Sequence, residues 1–99
     1  MGEIAKNEIL NIIRQYKGKF GEKYGIQEIG IFGSVARDAS TEESDIDVVI
    51  KIHPPNLIAM SRIRIDLEEM MHRHVDLVHY REKMNHLLKK RIESEAVYV

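Results

Sequence analysis

The chain has 99 residues, of which 43% are hydrophobic and 31% are charged, and its 15 basic and 16 acidic side chains give a formal net charge of −1. This length predicts a single domain, spanning residues 1–99, with room for one core and none for a separate substrate domain. The near-neutral charge argues against a long nucleic acid as direct partner, because such binding depends mainly on clustered Lys and Arg.

The sequence carries neither a membrane-spanning nor a secretory signal. The sequence contains no run of about 18 apolar residues, and its first residues lack the basic and then apolar pattern of a signal peptide. We therefore expect a soluble cytoplasmic protein with no membrane partner. The absence of cysteine excludes disulfides and thiolate metal sites.

The periodicity of apolar residues alternates between helix and strand along the chain. Residues 5–16 have the spacing of an amphipathic helix, which we expect Gly18, Gly21 and Gly25 to end. The elements predicted after it are a strand at 29–32, a helical turn at 34–39, a strand at 45–52, a helix at 57–74, a strand at 75–78 and a helix at 84–92. This order predicts a compact α/β or α+β domain with a small sheet. The apolar tail at 96–99 could pack back on the domain or form a docking surface.

Three aspartates interrupt the predicted strands. Asp45 and Asp47 are two residues apart and share one strand face, so their side chains can converge on one or two divalent cations. Mg²⁺ suits such oxygen ligands. Asp76 interrupts the apolar run at 75–78, where a carboxylate is costly to bury unless it is paired or bound to a metal. If the strand of Asp76 lies beside that of Asp47, all three carboxylates converge on one metal site.

A candidate phosphate-binding turn precedes these carboxylates. Gly33 and Ser34 stand where the first strand ends and a helical turn begins. Free backbone N–H groups at such a point attract anions, and glycine lets a phosphate approach the backbone closely. The Ser34 hydroxyl and the Arg37 guanidinium would add further donors.

The two motifs together resemble a known family. The segments 33–37 (GSVAR) and 44–49 (SDIDVV), with Asp76 in the place of a third acidic residue, are similar to the signature of DNA polymerase beta-like nucleotidyltransferases, specifically the minimal nucleotidyltransferase (MNT) domains of prokaryotes. The ending at 91–99 (RIESEAVYV) is also like that of the family. The resemblance implies an α+β nucleotidyltransferase fold, in which a small mixed sheet is flanked by helices.

The resemblance also implies cofactors and roles for the aspartates. ATP would be the donor substrate and two Mg²⁺ ions the cofactors, with Asp45 and Asp47 bridging the metals. Asp76 would hold the catalytic metal and help to deprotonate the attacking hydroxyl. Two metals can stabilise both the attacking oxygen and the departing pyrophosphate in an in-line displacement at the α-phosphate.

The same resemblance assigns the nucleotide-binding residues. Gly33 and Ser34 would hold the β- and γ-phosphates, and Ser44 would support the turn before the carboxylates; Arg37 is the further candidate phosphate ligand. One position departs from the family, which often has glycine after the Ala-Arg pair, whereas this chain has Asp38. A carboxylate there is unfavourable beside a triphosphate unless it points away or pairs with Arg37.

The resemblance finally implies a partner. Small MNT proteins commonly act as the antitoxin of a two-component module, transferring AMP to a tyrosine of a HEPN-domain ribonuclease toxin. The chain length agrees with this function, because 99 residues leave the acceptor to be supplied by another protein. Two alternatives stay open: an antitoxin that neutralises its toxin by binding alone, and a nucleotidyltransferase that acts on a small-molecule hydroxyl.

Overall fold

The computed structural model describes residues 5–39 and 44–99. Within these ranges the elements are α1 (Lys6–Tyr24), β1 (Ile26–Phe32), α2 (Gly33–Ala36), β2 (Ile46–Ile52), α3 (Leu57–Met71), β3 (Val75–His79), α4 (His86–Glu95) and β4 (Val97–Tyr98). The helices of the described ranges are all too short or too polar to cross a membrane.

The strands form one mixed sheet in the order β3-β2-β1-β4. Strand β1 pairs antiparallel with β2 and with β4, while β2 and β3 run parallel and are joined through α3. Parallel neighbours need such a long crossover connection, which is why a helix separates them in the sequence. The mixed sheet flanked by helices confirms the predicted α+β fold class.

The core lies mainly between one face of the sheet and the helices α1 and α3. Alternate residues of β2 face this core and are almost fully buried: Ile46, Val48, Ile50 and Ile52. The opposite face is also covered, because Val49 and Phe32 pack against Ile92 of α4 in a second, smaller cluster. The sheet is therefore enclosed on both faces, with α4 on the face that carries Asp47.

Helix α1 is longer than predicted. Gly18 and Gly21 lie inside it, and the helix ends only at Gly25, whose φ of 68° is the left-handed conformation that favours glycine. Each interior glycine costs about 0.5–1 kcal/mol relative to alanine. Packing of aromatic rings one turn apart outweighs that cost. The ring centroids of Tyr16 and Phe20 lie 4.7 Å apart, and those of Phe20 and Tyr24 lie 5.9 Å apart.

Other boundaries differ from the prediction by a few residues. Strand β1 begins at Ile26, three residues early, and β2 begins at Ile46, so that Asp45 precedes it. Helix α3 ends at Met71 because His72 adopts a left-handed φ of 54°, and β3 extends one residue further, to His79. Helix α4 begins at His86, after the Asn85 side chain caps it, and extends to Glu95.

The apolar tail packs back on the domain as strand β4. Val97 pairs with Ile31, and the backbone N–H of Val99 donates to the Ile29 carbonyl at 3.0 Å. An added Cβ at Gly30 would lie 2.4 Å from the Val97 carbonyl oxygen, so a side chain on β1 at this point would push the tail away. The tail therefore completes the sheet, although Tyr98 keeps 42% of its surface exposed.

A buried hydroxyl joins α1 to α3. Tyr16 is 1% exposed, and its hydroxyl donates to Asp66 Oδ2 at 2.7 Å, while Asp66 Oδ1 accepts two hydrogen bonds from Arg62.

We expect Tyr16→Phe to lower the free energy of unfolding by about 1 kcal/mol, since Asp66 retains its arginine partner. Urea denaturation measures this, with Tyr24→Phe as control. Equal stability of the two variants would contradict the stabilising role of the hydrogen bond.

Candidate active site

Two of the predicted aspartates meet at one end of the sheet. Asp47 is the second residue of β2, Asp76 is the second residue of β3, and the parallel register pairs them directly. Paired residues of adjacent parallel strands point to the same face, with backbones about 4.8 Å apart. The strand of Asp76 thus lies beside that of Asp47, which was the condition for the carboxylates to converge.

The third aspartate lies next to this pair but has its own contact. Asp45 is exposed, immediately before β2, and its Oδ1 is 3.4 Å from His74 Nδ1. Within residues 5–39 and 44–99, no three His, Asp or Glu side chains are gathered tightly enough to form a ready-made metal cluster. The structure therefore brings Asp47 and Asp76 together and leaves Asp45 at the edge of the site, beside His74.

The electrostatics of Asp47 suit a cation. Burial raises the pKa of Asp47 above its usual range, and the neighbouring Asp76 carboxylate raises it further. Arg91 acts in the opposite direction and favours the ionised form. A half-buried carboxylate placed against another is unfavourable by itself, and a hard cation with oxygen ligands relieves such repulsion. The donor set therefore fits Mg²⁺.

Gly33 packs directly against Asp47. It follows β1 as the first residue of α2, has a φ of 72°, and an added Cβ would lie 2.0 Å from Asp47 Oδ2. The sequence predicts glycine here to admit a phosphate. The structure adds a second reason, since only glycine accommodates both the left-handed backbone and the carboxylate of the next strand.

The predicted helical turn is shorter than its six residues. Helix α2 covers Gly33–Ala36, and the Ser34 carbonyl accepts a hydrogen bond from the Ala39 N–H at 2.8 Å, which closes the turn after it. Ser34, the residue after Gly33, is half-buried. Ser44, immediately before Asp45, accepts a hydrogen bond from Arg73 through its backbone carbonyl. The turn before Asp45 is thus tied to the segment before β3.

Arg37 is held by an acidic residue that the sequence reasoning did not select. Its Nη1 lies 2.9 Å from Glu95 Oε1, and Glu95 Oε2 accepts the backbone N–H of Gly33 at 3.1 Å. These contacts, with Arg37 and Arg91 nearby, keep the pKa of Glu95 below its usual value despite desolvation. The i,i+4 spacing of Arg91 and Glu95, which puts them on one side of α4, was the available signal.

Asp38 points away from Arg37. Its carboxylate lies 3.6 Å from Lys6 Nζ at the start of α1, and its φ of 59° is left-handed. A glycine at this position in the family is consistent with that backbone conformation, which aspartate adopts more readily than most other residues. The departure from the family pattern therefore has a local explanation.

Similar proteins are described as nucleotidyltransferases and protein adenylyltransferases. Residues 13–99 match the family model described as a nucleotidyltransferase domain. MJ0126 of Methanocaldococcus jannaschii, assigned as a protein adenylyltransferase, is 36% identical over 94 residues, covering 94% of this chain and 96% of its own length. The protein adenylyltransferase MntA of Thermococcus cleftensis is 31% identical over 100 residues and covers both chains completely.

Solved structures share the fold. One described as a minimal nucleotidyltransferase has a TM-score of 0.77 and 26% identity, with 96% of each chain covered. A second is a complex of a tri-AMPylated HEPN toxin from Shewanella oneidensis with an MNT antitoxin. It has a TM-score of 0.60 and 21% identity, with 99% of this chain and 71% of that chain covered. At that identity the second likeness indicates the fold alone.

Proposed function

Because this chain belongs to the nucleotidyltransferase domain family, we propose that it is a Mg²⁺-dependent protein adenylyltransferase that acts as an antitoxin. It transfers AMP from ATP to a tyrosine hydroxyl of a HEPN-domain toxin and releases pyrophosphate. The relatives named as protein adenylyltransferases support the reaction. The HEPN toxin bound to an MNT antitoxin in the structural neighbour supports the class of partner.

The observation that carries this proposal is the in-register pair of Asp47 and Asp76 against the backbone of Gly33. Asp47 and Asp76, with Asp45 beside them, would hold Mg²⁺, which supplies positive charge to the phosphates and the departing pyrophosphate. Asp76 is exposed, so it is accessible to an incoming hydroxyl and can accept its proton.

The donors for the triphosphate come from the start of α2. The backbone N–H of Gly33 and the Ser34 hydroxyl would hold the β- and γ-phosphates, and Arg37 would add a charged donor. Ser44 would keep the turn before Asp45 in place through its hydrogen bond with Arg73. The acceptor tyrosine would be supplied by the HEPN-domain partner.

Labelled ATP tests the proposed activity. The purified chain is incubated with Mg²⁺ and a cognate HEPN-domain protein, and the label on that protein is measured. We expect transfer by the wild type and none by the Asp45→Ala, Asp47→Ala double variant. An unlabelled partner with the wild type would contradict catalysis.

The same double variant distinguishes a catalytic antitoxin from one that works by binding alone. If catalysis is the function, the variant binds the HEPN protein and fails to protect cells at equal expression. Full protection by the variant would instead assign the effect to masking of the toxin. Labelling of a small hydroxylated acceptor, with the partner protein absent, would favour the small-molecule reaction.

A further inference from the structure

Glu95 occupies the donors that the nucleotide would need. Its carboxylate contacts both the Gly33 N–H, at 3.1 Å, and the Arg37 guanidinium, at 2.9 Å. We propose that Glu95 is an internal competitor of the triphosphate, which must displace it to bind. This inference rests on the proposed function, since it concerns the same site.

The competition follows from the capacity of the donors. A backbone N–H has one hydrogen, so the Gly33 N–H cannot donate fully to Glu95 and to a phosphate oxygen at once. Arg37 has further N–H groups, but a carboxylate left beside a bound triphosphate would be repelled by it. Either Glu95 leaves when a triphosphate binds, or Gly33 and Arg37 do not bind phosphate.

The carboxylate is placed by the fold rather than by chance surface contact. Glu95 is the last residue of α4, and the tail pairs with β1 two residues later, where Val97 lies opposite Ile31. Only 20% of its side chain is exposed. Helix α4 and the β4 pairing thus hold the backbone on both sides of Glu95, and its side chain is the part that would move on release.

The alternative role for Glu95 makes the opposite prediction. If Glu95 merely positions the start of α2 for catalysis, removing it weakens nucleotide binding because the Gly33 N–H loses its partner and the turn loosens. If it competes, removing its charge strengthens binding. The sign of the change in affinity distinguishes the two roles.

The experiment measures the affinity of the isolated chain for an ATP analogue with a methylene group between the α- and β-phosphorus atoms, which cannot release pyrophosphate. Calorimetric titrations are done with Mg²⁺ at constant ionic strength. We expect Glu95→Gln to bind about three to ten times more tightly than the wild type. Glu95→Ala, the second variant, should also bind more tightly.

The matched control is Glu93→Gln, which makes the same change in net charge on the same helix. The Glu93 carboxylate accepts a hydrogen bond from the Tyr80 hydroxyl at 2.8 Å and does not contact Gly33 or Arg37. We expect its affinity to match that of the wild type.

The outcomes separate the inference from the proposed function. Equal or weaker binding by both Glu95 variants, with binding by the wild type, overturns the inference and leaves the proposed function standing. An equal gain in Glu93→Gln also overturns it, because the effect would then be one of net charge. Failure of wild type and variants alike to bind the analogue overturns both.

Discussion

Replacing Asp47 with asparagine is expected to reduce AMP transfer by about a thousandfold or more, because this carboxylate is the best placed to hold a cation beside Asp76. Loss of a metal-supported transition state is worth several kcal/mol, and each 1.36 kcal/mol is a factor of ten in rate. Initial rates of label transfer to the HEPN protein measure the loss.

The same substitution should stabilise the metal-free protein at neutral pH. Burial and Asp76 raise the pKa of Asp47 in the folded state, so the folded state holds its proton more tightly than the unfolded state. The wild-type protein therefore loses folding stability as the pH rises through the pKa of Asp47 in the folded state. At pH 7, where Asp47 is ionised, that stability has been lost. Asparagine carries no such charge. The gain in stability of Asp47→Asn over the wild type should therefore shrink as the pH falls below the usual pKa range of aspartate.

Thermal unfolding in EDTA at pH 7 and at pH 3 tests this pH dependence, and added Mg²⁺ should raise the Tm of the wild type more than that of Asp47→Asn. The control is Asp38→Asn, whose carboxylate is exposed and faces Lys6. It should retain activity and the same response to Mg²⁺. An active Asp47→Asn variant would refute the assignment of Asp47 to the catalytic site.

Replacing Gly33 with alanine is expected to abolish activity and to lower stability together. The residue has a φ of 72°, where an alanine costs about 1–2 kcal/mol, and its Cβ would meet Asp47 Oδ2 at 2.0 Å. Relief of that overlap requires a shift of Asp47 or of the start of α2. We expect a fall of about 2–4 kcal/mol in the free energy of unfolding.

Urea denaturation and the transfer assay measure the two effects, and Gly18→Ala is the matched control. Gly18 lies inside α1, and an added Cβ there would meet no atom within 4 Å. That substitution should leave activity unchanged and stabilise the chain by about 0.5–1 kcal/mol. A stable and active Gly33→Ala would show that neither the backbone conformation nor the approach to Asp47 matters.

Much of the sheet was predictable because its patterns are local. The alternation along β2 identified the buried face, and the short apolar run around Asp76 identified β3. Helix α1 was predicted too short because Gly18 and Gly21 were taken to end it. The i,i+4 spacing of Tyr16, Phe20 and Tyr24, whose rings contact one another in the structure, was a local signal that the helix continues.

The site was predictable as a set of residues and less so as an arrangement. The spacing of Asp45 and Asp47 on one strand pointed to a shared face, but the contact of Asp45 with His74 depends on how the segment before β3 lies. Glu95 was missed because it is distant in sequence from Gly33 and Arg37, and the packing of α4 on the sheet, with the return of the tail to β1, brings it there.

The pairing of β2 with β3 has a consequence for folding. Asp47 and Asp76 lie on strands separated by all of α3, and pairings between such distant segments form slowly because the chain between them must first close. An unfolded or newly synthesised chain contains every residue of the motif but no paired carboxylates. Regained activity after refolding therefore measures completion of the tertiary structure, whereas recovered helix content does not.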